Sequence, residues 1–427
     1  MIDALVRWWR SQQLRRTLIK GNRRDAAKQL QSIRRSKTNL SWWEALFLEV
    51  LQLQQQNTDA KKQLAKLRQK LRQSYASRIQ TFIPNPEIVR SISQMFSLRE
   101  VDDGMIQCTG IDNVVFSKLE KELSDYLKSE FERYSKDDLD RELQIAIKDL
   151  NKLQKGIDPN YDLPLSSHVY FLKYFIDNIY CLYLAWFLIY QNGQLPNELK
   201  ILDIAAGPAT SMFGLLLFLQ RLDLEDVVSK VHVSYTSIEQ QDRFQYRGLQ
   251  FWRKYVQSIS FPTNIFFQFH TQNLFDYEHY SDRVSEEFFN FIVISHCFFA
   301  DPDRRERSNR IYRQIFRNHL KPGGWVLLVV QWTKLYRYYG IDRDENLQRE
   351  RDVVQKFVAE ELGLKPHWYR YLTSTGQRKK LKNFRKFSEE NCSPQNQIGS
   401  LAQTYLGLPY RLNYSIDDYV ILAQFKD

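Results

Sequence analysis

The sequence predicts an α/β chain, a seven-stranded, doubly wound and mostly parallel sheet preceded by an all-α N-terminal region. Three observations carry this. Beyond residue 158, short apolar runs bounded by turn residues alternate with stretches of helical period, the pattern of βαβ units. Before it, apolar residues recur at spacings of three and four, as in Leu119, Leu123, Tyr126, Leu127 and Phe131. The 427 residues are 43% hydrophobic, 14% aromatic and 26% charged, which supplies a packed core and excludes disordered and collagen-like classes. That length allows roughly two to four folding units.

The first unit is read from an internal repeat. Aligning residues 7–30 with 41–64 superposes Trp8 and Trp9 on Trp42 and Trp43, Asp25 and Ala26 on Asp59 and Ala60, and Lys28, Gln29 and Leu30 on Lys62, Gln63 and Leu64. A period of 34 residues, with a helix, a short polar turn and a second helix opening on alanine, resembles the tetratricopeptide-type repeat. Residues 1–80 are therefore expected to form a basic, repeat-like helical array, which stacks its hairpins and exposes a surface for a partner. Residues 81–157 are expected to be a helical middle region, with turn punctuation, a short helix and room for one short strand at 83–111.

The cluster Asp158-Pro-Asn-Tyr-Asp-Leu-Pro is a run of breakers and marks the boundary to a domain over 158–427. The twelve-residue run Ile179 to Tyr190 is too short for the roughly 20 residues of a membrane span and predicts a buried core helix. Strands are predicted at Leu199–Ile204, Val231–Ile238, Ile265–Phe269, Phe289–Ile294, Trp325–Val330, His367–Leu372 and Tyr419–Phe425. Helices are predicted over 210–222, 241–257, 303–319 and near 346–362, and a basic and aromatic insertion occupies about 373–413.

Charge is distributed unevenly. The net charge is +11, yet residues 1–80 hold 18 Lys and Arg against 5 Asp and Glu, net +13, while the rest hold 43 against 45, net −2. A basic arm suits a polyanion. Two further basic stretches are candidates for the same partner: 304–321, rich in arginine along one helix, and 365–386, where Lys and Arg interleave with Trp368, Tyr369, Tyr371 and Phe384. The four cysteines, Cys108, Cys181, Cys297 and Cys392, form no C-x-x-C pair, so no metal site is expected and a reducing, cytoplasmic setting is the simple inference. The N-terminus has arginines inside its apolar stretch and does not read as a signal peptide.

The chemistry is expected where the first of these strands ends. Asp203 is followed by Ile204-Ala205-Ala206-Gly207-Pro208-Ala209-Thr210 and then a helix, and a turn of small residues there lets backbone approach a ligand. A dinucleotide fingerprint wants three glycines, and only Gly207 is one. The run instead resembles the first motif of the class I methyltransferases that use S-adenosyl-L-methionine (SAM), with Asp203 as the acidic residue and Ala205, Gly207 and Ala209 as the alternating small positions. Two of the three usual glycines are alanine. The resemblance implies that Glu239, at the tip of the next strand, accepts the ribose hydroxyls. It implies that Asn273 contacts the adenine amino group, and that Lys321-Pro-Gly-Gly turns into the strand WVLLVV.

After the strand FNFIVI comes Ser295-His296-Cys297-Phe298-Phe299. The Asn/Asp-Pro-Pro-aromatic motif of family members that methylate exocyclic or amide nitrogens is absent, which disfavours that chemistry. Ser295 is assigned to the cofactor. His296 is the candidate catalytic residue, because an imidazole titrates near neutral pH and can take a proton from an acceptor; the alternative is a histidine satisfied by backbone that lines the methionine end. The resemblance thus implies a SAM-dependent methyltransferase whose macromolecular acceptor, RNA or a ribosomal particle, is brought by the basic repeats. A second reading, a methyltransferase fold turned binding or assembly module whose repeats dock a protein, stays open at this point.

Overall fold

Along each central strand, successive side chains enter opposite hydrophobic clusters. Ile201, Phe291, Val293, Leu327 and Val329 lie in one, and Leu202, Ile292, Ile294, Leu328 and Val330 in the other. A strand buried on both faces reads as a continuous apolar run, which is why these strands stand out in the sequence. The computed structural model describes residues 81–427 apart from 156–158, 228–230, 260–262, 300, 343 and 426–427. The repeats expected over residues 1–80 lie outside the described residues.

The expected strands are all present, as β3 (Glu198–Ile204), β4 (Val231–Glu239), β5 (Thr263–Thr271), β6 (Phe289–Ser295), β7 (Leu320–Gln331), β8 (Leu364–Thr373) and β9 (Asp417–Phe425). Among the described residues the sheet has nine strands, a correction to the count of seven. A hairpin, β1 (Arg99–Asp102) and β2 (Met105–Gln107), joins the edge, giving the order β1-β2-β8-β9-β7-β6-β3-β4-β5. Nothing in the sequence announces β1, because all four of its residues are exposed, and β2 has only three. The hairpin is held by an ion cluster whose Arg378 and Glu350 are buried: Arg378 donates to Asp102 at 2.8 Å and, through Nε, to Glu350 at 2.8 Å. Residues 81–157, expected as a helical region of their own, thus add strands to this sheet and side chains to its core.

Helices cover both faces. On one side lie α1 (Pro86–Met95), α2 (Asn113–Phe131), α3 (Lys136–Leu150), α4 (Ser166–Gln191), α5 (Thr210–Leu224) and α6 (Asp242–Ser258), and on the other α7 (Pro302–His319), α8 (Trp332–Tyr338) and α9 (Leu347–Gln355). Every residue from Ile179 to Tyr190 is buried, so the apolar run is the core helix expected, although α4 as a whole spans 26 residues. Gly214 lets α4 and α5 close up, since a Cβ there would sit 2.7 Å from Leu182 Cβ. Asp112, which caps α2, accepts from Arg221 Nε of α5 at 2.6 Å, so the charge of each is met inside the core.

Register positions the functional edge. β3, β4 and β6 are parallel and level, with Ile204 opposite both Ile238 and Ile294. Their carboxyl ends therefore open at one height, at the point between β3 and β6 where strand order reverses and open α/β sheets bind ligands. β9 runs antiparallel between β7 and β8, so it enters the sheet where its neighbours leave it. Asp418 is thereby opposite Gln331, and Asp417 opposite Thr373.

Candidate functional site

The turn after β3 alternates between ordinary and left-handed backbone. Ala205, Gly207 and Ala209 have φ of 54°, 54° and 64°. Both alanines hold a conformation that costs an L-residue roughly 1–2 kcal/mol, so the turn keeps its shape without two of the glycines that would make it free of strain. Gly207, half-buried, is the apex: a Cβ built there would meet nothing within 4 Å. Its N–H donates to Glu239 Oε2 at 2.8 Å, while Gln241 N–H donates to Oε1 at 2.8 Å. The turn rests on Gly248 of α6, where an added Cβ would come within 2.6 Å of Pro208 O.

Asp203 stands behind the turn. It is buried, and its Oδ2 accepts from Ser211 Oγ and, at 2.5 Å, from Tyr235 Oη, fixing the start of α5 against β4. Burial, with the nearby Glu239 adding to it, pushes its carboxyl up to about 7. Burial also raises Glu239, opposed by the backbone N–H groups that it accepts.

A cavity of about 930 Å³ opens at this edge. Of the residues expected from the sequence, it brings together Ala205, Gly207, Glu239, Ser295 and His296. Asp203 and Ala209 are not on its wall and shape the turn from behind. Asn273 is exposed and also off the wall, because its Oδ1 accepts Phe275 N–H at 2.9 Å and caps the 3-10 turn after β5.

His296 has φ of 59° and is held on three sides. Its N–H donates to Val329 O at 2.9 Å, its Nε2 is 3.1 Å from Asp418 Oδ1, and its Nδ1 is 3.2 Å from Ser295 Oγ. A carboxylate has no proton to give, so Nε2 carries the hydrogen and Nδ1 accepts from the serine hydroxyl. Asp418 was not legible as a site residue: it reaches His296 only because β9 is antiparallel. Asp177 of α4 also lines the cavity, accepts from Gln395 Nε2 at 2.7 Å, and is pushed up to about 8 by burial and the neighbouring Asp418.

The basic segments are partly spent on the fold. Arg305 lies 3.9 Å over the Tyr338 ring, and Arg307 donates to Phe275 O at 2.9 Å. Of the aromatics in 365–386, Trp368 donates to Gln194 at 2.8 Å, Tyr369 to Glu350 at 3.3 Å, and Tyr371, buried, to Asp417. Lys379, Lys380 and Phe384 are left exposed on the cavity wall.

No protein-family model and no curated protein matches the chain. Among solved structures it is similar to a SAM-dependent methyltransferase from Methanosarcina mazei, at 16% identity over 54% of this chain and 94% of that one, with a TM-score of 0.30. A plantazolicin methyltransferase in complex with a triazolic desmethylPZN analogue and S-adenosylhomocysteine (SAH) is similar at 11% identity over 68% and 98%, TM-score 0.31. An arsenic(III) S-adenosylmethionine methyltransferase from Chlamydomonas reinhardtii is similar at 13% over 53% and 64%, TM-score 0.27. At these values no function passes from those proteins to this chain, and a functional reading has to stand on the residues above.

Proposed function

We propose that the chain is a SAM-dependent methyltransferase acting on a macromolecular acceptor, RNA or a ribosomal particle. The observation that carries the cofactor half is the contact of Glu239 with the Gly207 turn on the cavity wall. Glu239 accepts the Gly207 N–H on one oxygen and the Gln241 N–H on the other, and it lines the cavity as an acceptor for adjacent hydroxyls, as a ribose presents. Gly207 leaves room for a ligand to come as close as a side chain would. Ala205, Gly207, Glu239 and Ser295 would hold the cofactor, and SAM supplies there a methyl group activated by a sulfonium.

The rest of the work falls to this chain's side chains. Methyl transfer draws mostly on positioning, which rigid walls provide. His296, oriented by Asp418, draws the Ser295 hydroxyl proton toward Nδ1, and that hydroxyl can in turn take a proton from the acceptor atom, freeing its lone pair. Arg304, Lys379 and Lys380 at the cavity support the macromolecular part of the reading, together with the net +13 of residues 1–80.

The experiment is transfer of tritium from methyl-labelled SAM to total cellular RNA, intact ribosomal particles and protein. Label in RNA that is abolished in the Glu239→Ala variant supports the reading. Label in protein alone overturns the acceptor, and no label in any fraction overturns the activity.

A further inference from the structure

One stretch of the cavity wall belongs to α4 rather than to the turn and strand tips described above. α4 is interrupted by a π-helical turn, Phe171–Phe175, a rare element that tends to sit at functional sites. The turn carries Lys173 and Tyr174 onto the cavity wall, one turn before Asp177. Lys173 is half-buried, donates to the neutral Asn151 Oδ1 at 2.8 Å, and lies 5.4 Å over the Tyr174 ring. Among the described residues no carboxylate forms an ion pair with it. Burial lowers its ammonium from the ordinary lysine value, so its charge is held at a cost. The Tyr174 hydroxyl is buried and has no hydrogen-bond partner among the described residues, although a buried phenol normally finds one.

The carboxylates on this side of the cavity do not balance Lys173. Burial and the neighbouring Asp418 push the Asp177 carboxyl up, which favours its neutral form. Asp417 accepts from Tyr371, and Asp418 is engaged with His296. Lys379 and Lys380, exposed on the loop that lines the same cavity, add further positive charge.

We infer that this wall is a phosphate site of the methyl acceptor: Lys173 Nζ and the Tyr174 hydroxyl donate to a phosphate group of a nucleotide, with Lys379 and Lys380 at its outer side. An ammonium and a phenol without acidic partners are both satisfied by one anion, and a phosphate accepts from several donors at once. At about 930 Å³ the cavity lies near the top of the range of roughly 300–1,000 Å³ for ligand pockets, which leaves room beside a cofactor. The inference rests on the methyltransferase reading only in taking the bound molecule as the acceptor.

The test is calorimetry on the intact protein with four probes measured separately: SAH, inorganic phosphate, a mononucleotide such as UMP, and a short single-stranded oligoribonucleotide. The expected result is binding of a phosphate-bearing probe that Lys173→Gln weakens about tenfold or more. Tyr174→Phe, which removes one hydroxyl only, should weaken it several-fold, and SAH affinity should be unchanged in both, reporting an intact fold. Binding of UMP as tight as that of the oligonucleotide assigns a free nucleotide as the source, and a preference for the oligonucleotide assigns a nucleic-acid strand. If none of the phosphate probes binds a protein that binds SAH, or if they bind both variants as tightly as the parent, the phosphate site is overturned. Probe binding that is lost in Lys173→Gln, in a protein that binds no SAH, would keep the phosphate site and overturn the methyltransferase reading.

Discussion

Asp418 Oδ1 lies 3.1 Å from Nε2 of His296, a residue 122 positions earlier in the chain. The contact crosses from β9 to the end of β6, and it exists because the one antiparallel strand among β6, β7 and β9 begins where its neighbours finish. It fixes which ring nitrogen carries the proton and leaves the other for Ser295.

Asp418→Asn tests that role. An asparagine can present its amide N–H to Nε2 and so favour the wrong tautomer, which misdirects Nδ1. The expected outcome is a fall in kcat of about 10²-fold or more, the scale of general-base catalysis, with SAM affinity unchanged by calorimetry. Equal kcat in the variant would show that His296 only lines the pocket.

Asp177 predicts a pH dependence of stability. Its carboxyl stands at 3.8 ordinarily and is pushed up to about 8 in the fold by burial. Between these values the folded form holds a proton that the unfolded chain has released, so stability contributed here is complete below about pH 4 and is lost as pH rises to about 8. The whole shift would correspond to roughly 5–6 kcal/mol at 1.36 kcal/mol per unit, and contact with cavity solvent reduces this to about 1–3 kcal/mol. Asp177→Asn keeps an acceptor for Gln395, so the variant should match the parent in thermal unfolding at pH 4 and exceed it at pH 8. A constant difference across that range would remove Asp177 from the account.

Gly248→Ala probes the support of the turn. The new methyl would enter the space of Pro208, at 2.6 Å from its carbonyl oxygen, and α6 is tied to β4 and β5 through Gln245 and Trp252. Overpacking of this kind costs about 1–3 kcal/mol, read as a lowered Tm, and should weaken SAM binding more than the same substitution at Gly340, where a Cβ meets nothing within 4 Å. Because Gly340 has φ of 63°, its alanine carries backbone strain of its own, so the comparison is read in SAM affinity and not in Tm; comparable SAM affinity in both variants would mean that the turn does not depend on α6.

Much of the architecture was legible because burial leaves a period in the sequence. The central strands are apolar on both faces, each of which meets helices, and Glu239 could be picked out because it ends one of the expected strands. Room for one short strand was left over 83–111, and β2 lies there with Met105 and Ile106 buried, but β1 was hidden, since its residues are exposed and Arg378 ties it through Asp102. Asn273 sits two residues past β5, close to where it was expected, but its side chain closes a local turn, a choice that sequence position cannot reveal. Lys173 and Tyr174 gave no signal either, because the π turn that brings both to the wall is an insertion in helical phase and not a motif.

The central claim, that the Gly207 turn and Glu239 form a SAM cradle, is tested most directly by titrating the intact protein with SAM in a calorimeter. The account predicts one site, weakened about a hundredfold or more by Glu239→Ala through loss of two charge-assisted hydrogen bonds, and weakened less by Glu239→Gln, which keeps one acceptor oxygen. No heat of binding in the parent protein, or equal affinity in parent and Glu239→Ala, would contradict it.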